Sequence, residues 1–490
     1  MSGKVYLVGA GPGDPGLITV RGLDVLRSAD VIFYDHLAPV SLLTHARTEA
    51  ERIYVGKKRA DHHRTQDEIN ALIIERAQAG ATVVRLKGGD PFIFGRGGEE
   101  GEALYAAGVQ FEVVPGVSSA TGAAAYAGIP LTHRSKTSAI TFVTGHDVDG
   151  IDWTKIGHAE TLVIFMGLTT FGEIGKKLIA GGRPADTPAA AIRWGTRPDQ
   201  QTIVGTISDL PERVAEAELK PPALVIVGEV VSLREELDWF ERLPLFGQRV
   251  VLTRAEEQSV ESAEQLRRLG ADVIVAPTIE IQEPSSWGPI DAAIDVLETY
   301  DWLIFTSRNG VDRFLNRLDR SPRDLRAIRG RLAAIGSATA EALAEARLKV
   351  DCVPTEFVAE SLLEALDDDL TGKKILIARA EFAREFLPEE LRSRGAQVDV
   401  APAYRTVVPD GSHLREVLAA KSPDWITFTS SSTVRHFVEM VGVEALRDIR
   451  IASIGPITSQ TIREYGLEPA VEASPHTMAR LIAVVAEVKL

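Results

Sequence analysis

The second half of the chain carries one sequence pattern twice. The segment "QRVVLTRAEEQSVESAEQLRRLGADVIVAPTIEI" after Gly247 parallels "KKILIARAEFAREFLPEELRSRGAQVDVAPAYRT" after Gly372. "WLIFTSRNGVDRFL" after Asp301 parallels "WITFTSSSTVRHFV" after Asp424, and "LAAIGSATAEALAEARL" after Arg331 parallels "IASIGPITSQTIREYGL" after Arg450. The intervals between these segments are nearly equal in the two copies, which marks a duplicated structural unit. Each copy reads strand, helix, strand, then a strand ending in Thr-Ser, a helix, and a strand ending in Ile-Gly. Such alternation predicts an α/β layer fold. Two equivalent lobes commonly bound a cleft, and ligands favour domain interfaces.

The first half also alternates strand-like and helix-compatible segments, as in "KVYLVGAG", "DVIFYD", "TVVRLKGGD" and "QFEVVPG". A second series runs through "AITFVTGH", "TLVIFMGL", "AAAIRWGT", "QTIVGTI" and "ALVIVGEV". Short connections in that series predict a mixed sheet. The break between the two lobes is expected near Pro115-Gly116, and "DWFERLPLFG" (238–247) reads as a junction to the duplicated half.

Lys and Arg number 54 against 69 Asp and Glu, for a net charge of -15. That balance opposes nucleic-acid binding through a global basic field. It leaves room for anionic small molecules, because a local arginine cluster overrides the global sign inside a cleft. Cys352 is the single cysteine, so neither a disulfide framework nor a cysteine-based metal site is expected. No segment is long and apolar enough to span a bilayer. The strand predicted at Val5 to Val8 leaves no room for a signal peptide, and a cytoplasmic enzyme is expected.

"VYLVGAGPGDPGLITVR" (5–21) resembles a dinucleotide loop, because Gly11, Gly13 and Gly16 satisfy G-x-G-x-x-G and Asp30 and Asp35 follow downstream. A pyrophosphate needs backbone N–H groups and a helix N-terminus. Pro12 and Pro15 each remove an N–H. In the register starting at Gly9, position 14 holds aspartate where the third glycine belongs, and a carboxylate repels a pyrophosphate. The loop therefore reads as something other than a pyrophosphate cradle. Two further strand ends are rich in glycine and small residues: "VVRLKGGDPFIFGRGGEE" (83–100) and "VVPGVSSATGAAAYAGIPLTHR" (113–134). Glycines there allow close backbone approach, and Ser118, Ser119 and Thr121 are possible helix caps. Three such ends in one lobe suggest one site at the carboxyl edge of a sheet.

Gly9 to Gly16, Gly88 to Glu100 and Val114 to Arg134, with "THR" (132–134), "FVTGH" (142–146) and "GTRPDQQTIVGTI" (195–207), closely resemble the tetrapyrrole methylase family. Within it the pattern resembles the uroporphyrinogen-III C-methyltransferase branch over about residues 1–240. More distant members that methylate ribosomal RNA or diphthine precursors share the first glycine loop. The resemblance implies S-adenosylmethionine as methyl donor, with S-adenosylhomocysteine as product, held between lobes of about 1–115 and 116–242. It implies cofactor contacts from Pro12, Gly88, Gly89, Asp90, Ile93, Ser118, Ser119, Met166, Gly195 and Ala223. It assigns proton transfer to Asp35 and Lys57, whose alternatives are a helix cap and a solvated strand-end lysine. For the polycarboxylate substrate, Arg59, Arg64, Arg96, Arg134 and Arg197 are candidates, since arginine suits bidentate carboxylate binding. In "DHHRTQDEIN" (61–70) His62, Gln66 and "EIN" follow the family, whereas His63-Arg64-Thr65 stands where Ser-x-Pro is common. The His62-His63 pair lacks a third ligand at suitable spacing, and no metal is expected. A homodimer through this half is implied, with small-molecule tetrapyrroles as partners and neither nucleic acid nor membrane.

The duplicated half places hydroxyls and an amide just past strand ends, an arrangement suited to donating hydrogen bonds to carboxylates; helix capping accounts for the same residues. Over about 246–490 the pattern resembles uroporphyrinogen-III synthase. The resemblance implies one lobe from 246–282 plus 405–490 and another from 283–404, exchanging equivalent segments. It implies a cofactor-free cyclisation of hydroxymethylbilane, with Thr253, Ser307, Asn309, Thr339, Thr429, Ser430 and Thr458 in the cleft and Tyr404 as a candidate proton donor. The expected protein is a bifunctional enzyme that cyclises hydroxymethylbilane and methylates the product twice to precorrin-2, for sirohaem or cobalamin. The alternatives are a methylase of macromolecules and a methylase with a non-catalytic two-lobed sensor.

Overall fold

The structure is a computed structural model describing residues 3–56, 65–354, 359–366 and 369–488. The chain divides into two compact units. One comprises Met1–Val250, Ala263–Val273 and Val485–Leu490; the other comprises Val251–Ser262 and Ile274–Val484.

The first unit holds two sheets. Strands β1 (Lys4–Gly9), β2 (Val31–Tyr34), β3 (Glu51–Tyr54), β4 (Val83–Lys87) and β5 (Gln110–Val114) form an all-parallel sheet in the order β3-β2-β4-β1-β5. A parallel sheet buries both faces, and side-chain alternation sorts its residues accordingly. Val5, Leu7, Val31, Phe33 and Val83 pack with Ile69, Ile73 and Leu104 on one face. Val8, Ile32, Val84 and Leu86 pack with Val25 and Leu26 on the other. Strand β4 is central and buried along its whole length, although it contains Arg85 and Lys87. By register these two share the face of Val83, which the helices Gln66–Gln78 and Gly97–Ala106 cover.

The mixed sheet expected in the second lobe is present. It comprises β6 (Ile140–Thr144), β7 (Thr161–Phe165), β8 (Pro188–Arg193), β9 (Gln201–Thr206) and β10 (Ala223–Val227) in the order β6-β7-β10-β8-β9. Strands β6 and β7 are parallel, and β10 runs antiparallel to both β7 and β8. The start of β10 consequently lies beside the ends of β7 and β8, pairing Ala223 with Arg193 and Leu224 with Phe165. The helix Ser119–Tyr126 contributes Ala120, Ala123 and Ala124 to the core on one face of this sheet. The segment read as a junction is fastened here. Glu241 accepts hydrogen bonds from Gln200 (2.8 Å), Thr202 (2.7 Å) and Arg234 (2.6 Å). Trp239 and Phe240 pack on Tyr126 with ring centroids 4.9 and 4.7 Å away.

The duplicated half also holds two sheets. One contains β11 (Arg249–Leu252), β12 (Asp272–Val275), β18 (Trp425–Phe428), β19 (Arg450–Ser453) and β20 (Val471–Glu472) in the order β12-β11-β18-β19-β20. The other contains β13 (Glu280–Gln282), β14 (Trp302–Phe305), β15 (Arg331–Ala334), β16 (Lys374–Ala380) and β17 (Gln397–Val407) in the order β13-β17-β16-β14-β15. Each sheet therefore combines the first strand of one copy with the Thr-Ser and Ile-Gly strands of the other. The copies differ at their second strand. In the first copy it splits into β12 and β13, which lie in different sheets. In the second it is one 11-residue strand, and its register against β16 shifts between the pairs Arg379–Pro402 and Ala380–Tyr404.

Candidate functional site

In the first unit three glycine-rich strand ends close on one another. Gly11 and Gly89 form a two-bond bridge, with N–H to O distances of 3.3 and 2.7 Å. A Cβ on Gly9 would lie 2.5 Å from the Cα of Gly116, and one on Gly116 would lie 2.4 Å from the carbonyl oxygen of Gly89. These glycines let the ends of β1, β4 and β5 pack backbone to backbone. Asp90 secures the same junction: one carboxylate oxygen accepts from the N–H of Phe92 (2.8 Å) and the other from Gly116 (3.0 Å). Ser118 is buried and caps the helix that begins at Ser119, accepting from the N–H of Ala120.

The first loop also reaches the second lobe. The N–H of Asp14 donates to the hydroxyl of Thr196 (2.9 Å), and its carboxylate accepts from the Tyr126 hydroxyl (2.7 Å) and the Gly16 N–H (2.8 Å). Burial, reinforced by this carboxylate, pushes the Tyr126 phenol up from its ordinary value. A Cβ on Gly122 would lie 2.5 Å from the ring of Pro12, and one on Gly195 would lie 2.3 Å from the Cβ of Ala123. Ile93 packs against the second-lobe core, and Phe94 lies 4.8 Å from Phe165. Pro12, Gly88, Gly89, Asp90, Ser118 and Ser119 thus gather at the carboxyl edge of the parallel sheet. Met166, Gly195 and Ala223 gather at one edge of the mixed sheet. Met166 has φ +53° and is 54% exposed, an unusual cost for a large apolar side chain.

These surroundings do not suit a polyphosphate. Arg197 pairs with Asp199 and lies over the Trp194 ring at 4.2 Å, and Arg96 pairs with Glu99. Two prolines thin the N–H supply of the first loop, and Asp14 and Asp90 are carboxylates. Exposed Phe94 and Met166 suit a ligand that is partly apolar and carries no polyphosphate.

Asp35 stands at the end of β2. It does not cap the short helix Val40–His45, whose N-cap is Pro39. Its carboxylate accepts from the N–H of Leu37 (3.0 Å) and from the guanidinium of Arg85 (2.9 Å). Arg85 also donates to Glu100 (3.2 Å), as do Lys87 (2.9 Å) and Gln66 (3.2 Å). Side-chain exposure is 7% for Arg85, 5% for Lys87 and 1% for Glu100. Burial and the adjacent Arg85 charge pull the Lys87 amine down, with Glu100 opposing them. The sequence reading passed over Arg85, Lys87, Glu100 and Tyr126. The available signal was "VVRLK", two charges alternating with apolar residues in a strand that its neighbours bury on both faces.

Other expectations fall elsewhere. Lys57, Arg59 and Arg64, with His62 and His63, lie outside the described residues. Arg134 is exposed, beside the His133–Thr137 bridge. Asp30 is held at the start of β2 by the Thr82 N–H and Arg47, away from any ribose role. Thr65, where the sequence departs from the family pattern, forms a capping box with Glu68 at the start of the helix Gln66–Gln78.

The candidates of the duplicated half divide between two sheet edges. Thr253, Thr429, Ser430 and Thr458 follow β11, β18 and β19; Ser307, Asn309, Thr339 and Tyr404 follow β14, β15 and the register shift of β17. Ser307 and Ser430 are equivalent N-caps, accepting from Gly310 (3.1 Å) and Thr433 (3.2 Å). Thr253, Thr339 and Thr458 are buried, and Thr253 donates to the Thr427 carbonyl (2.7 Å). The Tyr404 hydroxyl is 2.9 Å from that of Ser307.

Residues 4–211 match the family of Tetrapyrrole (Corrin/Porphyrin) Methylases, and residues 260–483 match Uroporphyrinogen-III synthase HemD. The chain is similar to the porphyrin biosynthesis protein HemD of Ruminiclostridium josui, with 38% identity over 474 residues, covering 95% of this chain and 94% of that protein. It is 56% identical over 244 residues to the siroheme synthase of Pseudomonas fluorescens (strain Pf0-1), covering 49% of this chain and about half (53%) of that relative. Among solved structures it is similar to uroporphyrin-III C-methyl transferase from Thermus thermophilus complexed with S-adenyl homocysteine. That similarity has 40% identity and a TM-score of 0.42, covering 47% of this chain and 100% of that one.

Proposed function

The chain belongs to the family that joins a tetrapyrrole methylase to a uroporphyrinogen-III synthase, and on that premise we propose a sequence of two reactions. The second half closes hydroxymethylbilane to uroporphyrinogen III. The first half methylates that product twice, with S-adenosylmethionine as donor, to give precorrin-2. The similarity to a siroheme synthase supports sirohaem as the destination.

The observation that carries the methylase reading is the meeting of three glycine-rich strand ends beside Asp35, closed on the other side by Thr196, Tyr126 and Met166. S-adenosylmethionine, when bound, supplies an electrophilic methyl group. The loops after β1, β4 and β5, with Met166, Gly195 and Ala223, are the residues we assign to hold it. Their acidic and apolar character suits a cationic sulfonium. A pyrrole carbon that gains a methyl group obliges the ring system to release a proton, and we assign that proton to Asp35. The carboxylate is held by Leu37 and Arg85 in one orientation, so it need not reorganise to accept it. Incubating the full chain with uroporphyrinogen III and methyl-labelled S-adenosylmethionine tests this step. Two labelled methyl groups on the tetrapyrrole are expected, and label only on protein or RNA would overturn it.

One observation favours a second reading of the duplicated half, as a binding module without catalysis. Ser307 and Ser430 spend their hydroxyls as helix caps, and Thr253 and Thr339 are buried. Cyclisation of hydroxymethylbilane by the full chain separates the two readings.

A further inference from the structure

Burying two cations and two carboxylates costs several kcal/mol per ion before their attraction is counted, about the same or more than a packed apolar cluster would gain. Central strand β4 nevertheless spends two of its five buried positions on Arg85 and Lys87. The network they form has a direction. It starts at Glu100, which is 1% exposed and receives Arg85, Lys87 and Gln66 on a single oxygen, Oε1. It ends at Asp35, just past β2, whose side chain is 20% exposed. The other oxygen, Oε2 of Glu100, has no hydrogen-bond partner among the described residues.

We propose that Glu100 is a positioning residue for methyl transfer: it fixes the Arg85 guanidinium, which in turn fixes the Asp35 carboxylate. This rests on the reading in which the first half is a methylase and Asp35 takes the ring proton. Arg85 reaches Glu100 through Nε and Asp35 through Nη2, two donors of one rigid plane, so the position of one carboxylate dictates that of the other. Lys87 holds Glu100 from a second side, so that Glu100 cannot swing with Arg85. A lysine at 85 has no planar fork and cannot serve both acids in this way.

The test is a mutant cycle on the full chain, measuring methylation of uroporphyrinogen III, with S-adenosylhomocysteine affinity as the check that the unit is folded. E100Q and R85K are each expected to lower kcat by roughly 10²-fold, the scale of a misplaced catalytic group. The KM for S-adenosylmethionine and the S-adenosylhomocysteine affinity should stay within about twofold, an estimate for residues that touch neither. In the D35N background neither change should lower kcat further, because both act through Asp35. Losses that multiply with D35N, or unchanged kcat in both single variants, would overturn the proposal. If E100Q fails to bind S-adenosylhomocysteine, R85K and the neutral pair K87M/E100Q carry the test with the same expectations. A D35N variant with full activity would instead remove the reading of Asp35 itself, an outcome distinct from failure of Glu100.

Discussion

At the carboxyl edge of its parallel sheet, the first unit concentrates charge; at the equivalent edges of its sheets, the duplicated half presents hydroxyls and helix N-termini. Arg85, Glu100 and Lys87 form one buried ionic cluster that ends at half-buried Asp35. Ser307 and Ser430 are instead held as helix caps and Thr253 by a strand-end bond, while Thr458 is buried. The difference follows the chemistry assigned to each half. Methylating a ring carbon requires a proton to leave, which needs a fixed base. Closing a bilane whose hydroxyl leaves as water asks chiefly that a flexible polycarboxylate be folded. A site of the first kind fails when one group moves. A site of the second kind spreads its binding over many individually replaceable donors.

Substitutions should expose that asymmetry. The largest effect is expected from Asp35→Asn, lowering methylation by about 10²- to 10⁴-fold while leaving cyclisation of hydroxymethylbilane intact. Equal loss of both activities would make Asp35 structural. Gly116→Ala comes next. Its Cβ would press on the Gly89 carbonyl and the Gly9 Cα at 2.4 and 2.7 Å, and about 1–3 kcal/mol of stability should be lost. Calorimetry with and without S-adenosylhomocysteine should show both destabilisation and lost ligand stabilisation. Ser430→Ala should cost about 1 kcal/mol as a lost cap and slow cyclisation less than tenfold, roughly the rate equivalent of one hydrogen bond. A hundredfold loss of cyclisation would show that the second half concentrates its chemistry as the first does.

The smallest effect is shared by the two units. Tyr126 donates to Asp14, and Tyr300 donates to Asp399, each at 2.7 Å. Burial, then the hydrogen-bonded carboxylate, raises both phenols above their ordinary value of 10. The folded state therefore holds these protons more tightly than the unfolded chain. The stability this provides is complete below pH 10 and is lost as pH rises beyond it. Tyr126→Phe should flatten that loss for the first unit alone, and Tyr300→Phe for the second, as read by urea unfolding across this range.

The layer architecture was legible because strands and helices alternate with clear spacing, and the duplication announced that two sheets would share equivalent segments. The glycine clusters marked the strand ends that pack together, since close backbone packing tolerates no Cβ at Gly9 or Gly116. Asp14 was legible only as an argument against a pyrophosphate. Its partners Tyr126 and Thr196 lie more than a hundred residues away, and no local pattern records such a bond. Glu100 was hidden for the same reason: next to Glu99 it reads as a solvated helix acid, and only the fold turns it onto Arg85 and Lys87. Lys57, Arg59 and Arg64 fall outside the described residues, so the proton-transfer role assigned to Lys57 rests on resemblance alone.

The most direct measurement supplies hydroxymethylbilane to the full chain with and without S-adenosylmethionine and identifies the tetrapyrroles formed. Uroporphyrinogen III without the donor, and its twice-methylated product with it, are predicted. Uroporphyrinogen I alone would contradict the synthase assignment, and uroporphyrinogen III that never gains a methyl group would contradict the methyltransferase assignment.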